Sequence, residues 1–170
     1  ITMIGALLLA GASCFAQFSP LPAPTLDQYF APCQEGPAAP DAKGFVRRWT
    51  LLEPIAKPDI RTNAIFTDSW LREEFGKELF KDQWTILPKD GQKLKLDKKT
   101  TLRWHCYDSK LYNNKLFRFA SGLKKQVYGN LFWAVTTIEC DEDITGIRMA
   151  VGSNSASMWW LNGEEAVLLS

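Results

Sequence analysis

The chain has 170 residues, 46% of them hydrophobic and 23% charged, with a formal net charge of +1. That length suits one domain with room for a tail, and the apolar share is enough for a core, which excludes wholesale disorder. Twenty basic residues against nineteen acidic ones leave no excess charge to attract nucleic acid or an anionic membrane, so strongly electrostatic binders are excluded too.

Residues 1–18 carry no charge, and the first charged side chain is Asp27. The run Ile4-Gly5-Ala6-Leu7-Leu8-Leu9-Ala10 has the length of a signal-peptide apolar region and is too short to span a bilayer. Cys14-Phe15-Ala16 places small residues three positions and one position before Gln17. This spacing predicts a signal peptide over 1–16, and hence a secreted or periplasmic protein. The alternative is a lipid anchor through Cys14; Gly11-Ala12-Ser13-Cys14 supplies the small residues but lacks the expected Leu. A basic leader and an initial Met are both missing, which reads as truncation at the N-terminus.

With Cys14 removed, Cys33, Cys106 and Cys140 remain. An odd count is not a closed disulfide framework. Cys106 and Cys140 both lie in strand-like runs, so they either pair across a sheet or stay as buried thiols. No two cysteines stand at Cys-x-x-Cys spacing.

Residues 17–43 form a proline-rich leader, with Pro20, Pro22, Pro24, Pro32, Pro37 and Pro40. Such density disfavours ladder pairing. Thr25-Leu26-Asp27-Gln28 has capping-box form and predicts one short helix within it. From residue 44 to 170 the chain reads as a β module. Phe45-Val46-Arg47-Arg48-Trp49-Thr50-Leu51-Leu52 is β-favouring and stops at Pro54. Asp68 is placed to cap a short helix over 69–75 that Gly76 ends. Asp90-Gly91 and Asn113-Asn114 mark turns. Strands are expected over 101–107 and 131–138, and Ile147, Met149 and Val151 alternate with polar or small residues as in a half-buried strand. Asn162-Gly163 between two β-favouring runs predicts a tight hairpin, since both turn residues must tolerate positive φ. Several strands with scant helix indicate an all-β sandwich. Because the last strand runs to Ser170, the module is expected to be incomplete at its C-terminus.

Val151-Gly152-Ser153, a short loop, then Trp160-Leu161-Asn162-Gly163-Glu164 resembles the galactose-binding-like jelly-roll modules of secreted bacterial carbohydrate-active enzymes, acetylxylan esterases among them. Arg48-Trp49-Thr50-Leu51-Leu52-Glu53-Pro54-Ile55 and Phe66-Thr67-Asp68 look like the opening of such modules. The resemblance implies a jelly-roll fold, an accessory role and an enzyme domain attached beyond Ser170. Where the family often carries two acidic residues and a glycine after Gly-Ser, this chain has Asn154-Ser155-Ala156, so a role for those carboxylates does not carry over.

Catalytic motifs are missing. No Gly-x-Ser-x-Gly elbow occurs, and His105 is the only histidine, expected to be a half-buried structural residue. One histidine leaves only carboxylates and odd cysteines as metal ligands, so neither metal nor cofactor is expected. Glu73-Glu74, Asp141-Glu142-Asp143 and Glu164-Glu165 are the carboxylate pairs a glycosidase would need, yet charged runs at turns are usually solvated surface. Lys93, Lys95, Lys98 and Lys99 read as guards of an exposed strand edge.

The seven tryptophans are the better lead, because the C–H face of a sugar stacks on an aromatic ring while amides take its hydroxyls. Trp159 and Trp160 must point to opposite sides of one strand. With Leu161 assigned to the core face, Trp160 falls outside, and the expected ligand contacts are Trp160, Asn162 and Asn154. The expectation is a non-catalytic accessory module whose partners are a plant or other glycan and an attached enzyme domain. Neither nucleic-acid binding nor stable membrane insertion is expected. A carboxylate glycan hydrolase within the chain and a purely structural or protein-binding sandwich are the alternatives.

Overall fold

The computed structural model describes residues 25–57 and 67–169. The export signal expected over 1–16 and the Cys14 anchor lie outside them. Strands in antiparallel sheets dominate, with two α-helices, as an all-β chain requires.

The long central strand is β5 (Thr101–Ser109). It pairs antiparallel with β2 (Arg48–Leu52), Trp49 opposite Tyr107 and Leu52 opposite Trp104. Both strands bury residues on both faces. Leu52 joins Leu102 and Trp104 in a core on one face, while Leu51 joins Phe30 and Phe119 on the other. Accordingly β5 changes its buried side midway: Leu102 and Trp104 are buried while Thr101 and Arg103 are exposed, and further on Ser109 is buried. Two cores on one sheet explain why the adjacent Leu51 and Leu52 are both buried and why the alternation of β5 does not keep to one face.

The other edge of β5 is shared. β1 (Phe30–Pro32) pairs with its end and β4 (Lys93–Lys95) with its beginning. Between them, the Cys106 N–H donates to Asp90 Oδ1 at 2.8 Å and the Cys106 carbonyl accepts from the Cys33 N–H at 3.3 Å. The proline-rich segment therefore contributes a strand, against the expectation that proline keeps it out of the ladder. Pro32 is tolerated because it ends an edge strand, and burying Phe30 holds the strand down. Lys93 and Lys95 are exposed on their edge, where their charge opposes strand addition. Preceding β1, a 3-10 turn at Leu26–Gln28 replaces the expected capping box. Its i→i+3 bonds already satisfy the Gln28 N–H, and the Thr25 hydroxyl bonds to Asp27 instead, holding that carboxyl below its ordinary range.

On its far side β2 pairs with β7 (Ala134–Val135), and β3 (Ile55–Ala56) pairs with β6 (Asn130–Leu131). The expected strand over 131–138 is thus two short pieces. Leu52 N–H donates to the Trp133 carbonyl, and Ile55 stands opposite Leu131, so Glu53 and Pro54 together oppose Phe132 alone. Pro54 has no N–H to donate, and the ladder bulges around it.

Helix α1 (Asp68–Phe75) is capped by Thr67, whose Oγ1 accepts from the Trp70 N–H at 3.3 Å, with Asp68 in the first turn rather than at the cap. Gly76 ends it. Helix α2 (Leu116–Gly122), which the sequence reading lacks, lays Phe119 on the Leu51 face. It packs closely on the Leu26–Gln28 turn: a Cβ on Gly122 would come within 2.7 Å of Leu26 Cβ.

The Asn162-Gly163 hairpin forms as expected. Strands β8 (Ser157–Leu161) and β9 (Glu164–Leu169) pair across a turn with φ of 51° and 89°. Its facing is the reverse of that expected. Trp160 stacks on Trp133 in the core while Leu161 is 60% exposed. Leu161 sits beside the turn, where nothing covers it, and the larger indole takes the buried side. The strand expected over 147–151 is not formed: Ile147 is 64% exposed and Met149 56%. Alternation specifies a strand only where a partner edge is available.

Candidate functional site

His105, Glu74 and Glu165 each have a structural partner. His105 lies parallel to the Tyr107 ring with centroids 6.0 Å apart, meets Phe119 edge-on, and turns Nε2 to Glu53 Oε1 at 3.4 Å. Lys125 approaches the second oxygen of Glu53 at 3.8 Å. Among the described residues no serine hydroxyl bonds to His105, so the nucleophile–base geometry of a serine hydrolase is not assembled. Glu74 is bonded to Lys77 and Lys57, which hold its carboxyl below the ordinary range. Glu165 pairs with Arg72 at 2.9 Å, and Asp141, Glu142 and Asp143 are exposed.

The cysteines follow neither alternative left open for Cys106 and Cys140, which are neither paired with each other nor both buried thiols. Cys33 and Cys106 form a disulfide spanning 73 residues, with Cα atoms 5.5 Å apart, and Cys140 is an exposed free thiol. The edge position of β1 brings Cys33 alongside Cys106, while the chain after β7 carries Cys140 to the surface. Among the described residues no group of three or more His, Cys, Asp or Glu is placed to hold a metal, and no helix is long and apolar enough to cross a membrane.

The tryptophans are mostly core. Trp104 and Trp133 are buried, with Phe80 edge-on to both, and Trp160 lies over Trp133. Trp159 meets Trp49 edge-on at 6.2 Å. Of the three expected ligand contacts, Trp160 is therefore committed to packing, while Asn162 at the hairpin turn and Asn154 in the preceding loop are exposed.

A different pair of aromatics is presented to solvent. Where β2 begins and β5 ends, Phe45 and Tyr112 stand with ring centroids 5.6 Å apart, 40% and 64% exposed. They wall an open hollow of about 660 Å³ floored by Leu111 and rimmed by Lys43, Arg47 and Lys110.

The loop carrying Phe45 is held by one carboxylate. Asp41 Oδ1 accepts from the Lys43 N–H at 2.9 Å and the Phe45 N–H at 3.0 Å, and Oδ2 accepts from Arg47 Nε at 2.7 Å and from Arg47 Nη2. The Asp41 N–H donates to the Phe45 carbonyl, closing the loop around Gly44, whose φ of 84° suits glycine. The Phe45 N–H, then Arg47, hold the Asp41 carboxyl below the ordinary carboxylate range. An aromatic fixed this way loses little further freedom when a ligand covers it.

The sequence reading passed over Phe45 and Tyr112, although both flank strands it identified. The Ser109 N–H donates to the Arg47 carbonyl, and continuing this antiparallel register puts Phe45 opposite the stretch holding Leu111 and Tyr112. The signal was the pairing of two strands, which neither segment carries alone.

No known protein family, curated protein or solved structure matches the chain.

Proposed function

We propose that this chain is the non-catalytic, glycan-contacting β module of an exported carbohydrate-active protein, jelly-roll in type, and that the glycan sits in the Phe45–Tyr112 hollow. The observation that carries the reading is the exposed aromatic pair on a loop clamped by Asp41. Sugar rings present flat C–H faces to aromatic side chains, and a rigid platform of this kind binds at low entropic cost. The disulfide between Cys33 and Cys106 supports a secreted or periplasmic location, because such bonds persist in oxidising compartments. In this reading the chemistry belongs to an attached domain of carbohydrate-esterase type, and the module holds it near its polymer. Asn154 and Asn162 are exposed amides outside the lining of that hollow.

Affinity electrophoresis of the mature protein through gels containing plant polysaccharides tests this. Retardation is expected in at least one gel, and the double variant Phe45→Ala, Tyr112→Ala is expected to run freely. Unretarded migration of the unaltered protein in every gel would instead favour a purely structural or protein-binding sandwich.

A further inference from the structure

Accepting the hollow as a glycan site, its charge says which sugars it suits. Asp41 is the one acid in its lining, and both oxygens of that carboxylate are taken up by the Lys43 and Phe45 amides and the Arg47 guanidinium. Asp41 and Arg47 offset each other. Two ammonium groups remain. Lys43 has no ion-pair partner among the described residues. Lys110 Nζ donates to the Asp27 backbone carbonyl at 2.5 Å; the Asp27 carboxylate feels Lys110 only as the weakest of its interactions, behind its bond to Thr25.

The remaining polar side-chain atoms at the rim are thus almost all donors. A lysine ammonium has three N–H groups and no lone pair, and only the Tyr112 hydroxyl both gives and accepts. A neutral sugar's hydroxyl oxygens can accept from these ammonium groups, but the hydroxyl protons find few acceptors on a rim whose one carboxylate is already taken up by its own loop. A sugar carboxylate offers two acceptor oxygens and a negative charge, the complement of what is left.

We propose that the Phe45–Tyr112 hollow is selective for acidic glycans, stacking a uronic acid ring on the aromatic pair and taking its carboxylate on Lys43 and Lys110. The inference rests on the glycan-binding reading, and the two fail separately.

Calorimetric titration of the mature protein with hexagalacturonate and with the same hexamer fully methyl-esterified isolates the charge, because chain length and ring are unchanged. The acid is expected to bind at least tenfold more tightly than the ester. Raising salt from 50 to 300 mM should weaken the acid several-fold and leave the ester unmoved. Lys43→Gln and Lys110→Gln should each weaken the acid several-fold; both side chains are exposed, so circular dichroism and melting temperature should match the unaltered protein. Equal binding of acid and ester, with both lost in Phe45→Ala, overturns the acidic preference and leaves the glycan site standing. Absence of hexagalacturonate binding in a protein that is still retarded by a neutral polysaccharide does the same. Polyglutamate of matched charge binding as tightly as the hexamer overturns the role of the sugar ring.

Discussion

Trp160 lies over Trp133 with ring centroids 5.4 Å apart and planes 25° from parallel, and this contact joins the C-terminal hairpin to the core of the main sheet. Its neighbour Leu161 points away and is mostly exposed. The two residues are therefore expected to differ sharply under truncation. Trp160→Ala should cost about 2–3 kcal/mol, less than for a fully buried indole because Trp160 is only partly buried. Leu161→Ala should stay within about 0.5 kcal/mol. Urea midpoints of the two variants check this, and a reversed order would place the wrong side of the hairpin inward.

What was legible in the sequence is what is decided locally. Asn162-Gly163 requires two positive φ values, and no distant residue alters that requirement. Asp68 and Gly76 mark a helix within eight positions of each other, though Thr67 rather than Asp68 caps it. The misreadings all concern partners. Alternation at Ile147, Met149 and Val151 describes a strand with no edge to join among the described residues. Pro32 and its neighbours looked incompatible with a ladder, yet an edge strand asks for bonds on one side only. The leucine beside the hairpin turn was taken for the core because periodicity gives two faces without saying which is inward. Cys33 finds Cys106 through strand order, which cysteine spacing does not encode. Phe45 and Tyr112 belong with these: they meet only because β2 and β5 are antiparallel.

The hairpin turn yields a second test. Gly163 has a φ of 89°, and a Cβ there would lie 3.0 Å from Thr85 Cγ2. Gly163→Ala meets both backbone strain and a tight contact, and should destabilise by about 1 kcal/mol or more. Gly152 has open space around it and no left-handed φ, so Gly152→Ala should be neutral or slightly stabilising. Thermal melting of the pair provides the comparison. An unchanged melting temperature for Gly163→Ala would mean that the turn does not hold the observed geometry.

Cys33 and Cys106 close a long loop, 73 residues apart in sequence. Chain-entropy arguments assign a link of that span about 4 kcal/mol, acting mainly on the unfolded chain. Replacing both with Ala should lower the urea midpoint accordingly, and reductant should affect the native protein while leaving the double variant unmoved. Maleimide labelling under native conditions should modify exposed Cys140 without reductant and reach Cys33 and Cys106 only after reduction and unfolding. Labelling of Cys106 before reduction would refute the bond.

Asp41 makes the candidate site sensitive to acid in a defined direction. Its carboxyl is held below the ordinary value of 3.8 by the Phe45 N–H and then by Arg47, so the folded loop favours the ionised form. The stabilisation is complete above the ordinary carboxylate pKa and disappears as pH falls through the depressed folded value. Amide resonances of Phe45 and Lys43, the two N–H groups that donate to Oδ1, should therefore shift with a common midpoint below 3.8. In Asp41→Ala both resonances should lose that titration, and glycan affinity near neutral pH should fall several-fold because the Lys43 and Phe45 N–H groups and the Arg47 guanidinium all lose their shared acceptor. A midpoint at or above 3.8 for the Phe45 amide, or unchanged affinity in Asp41→Ala, would remove the loop clamp from the account of binding.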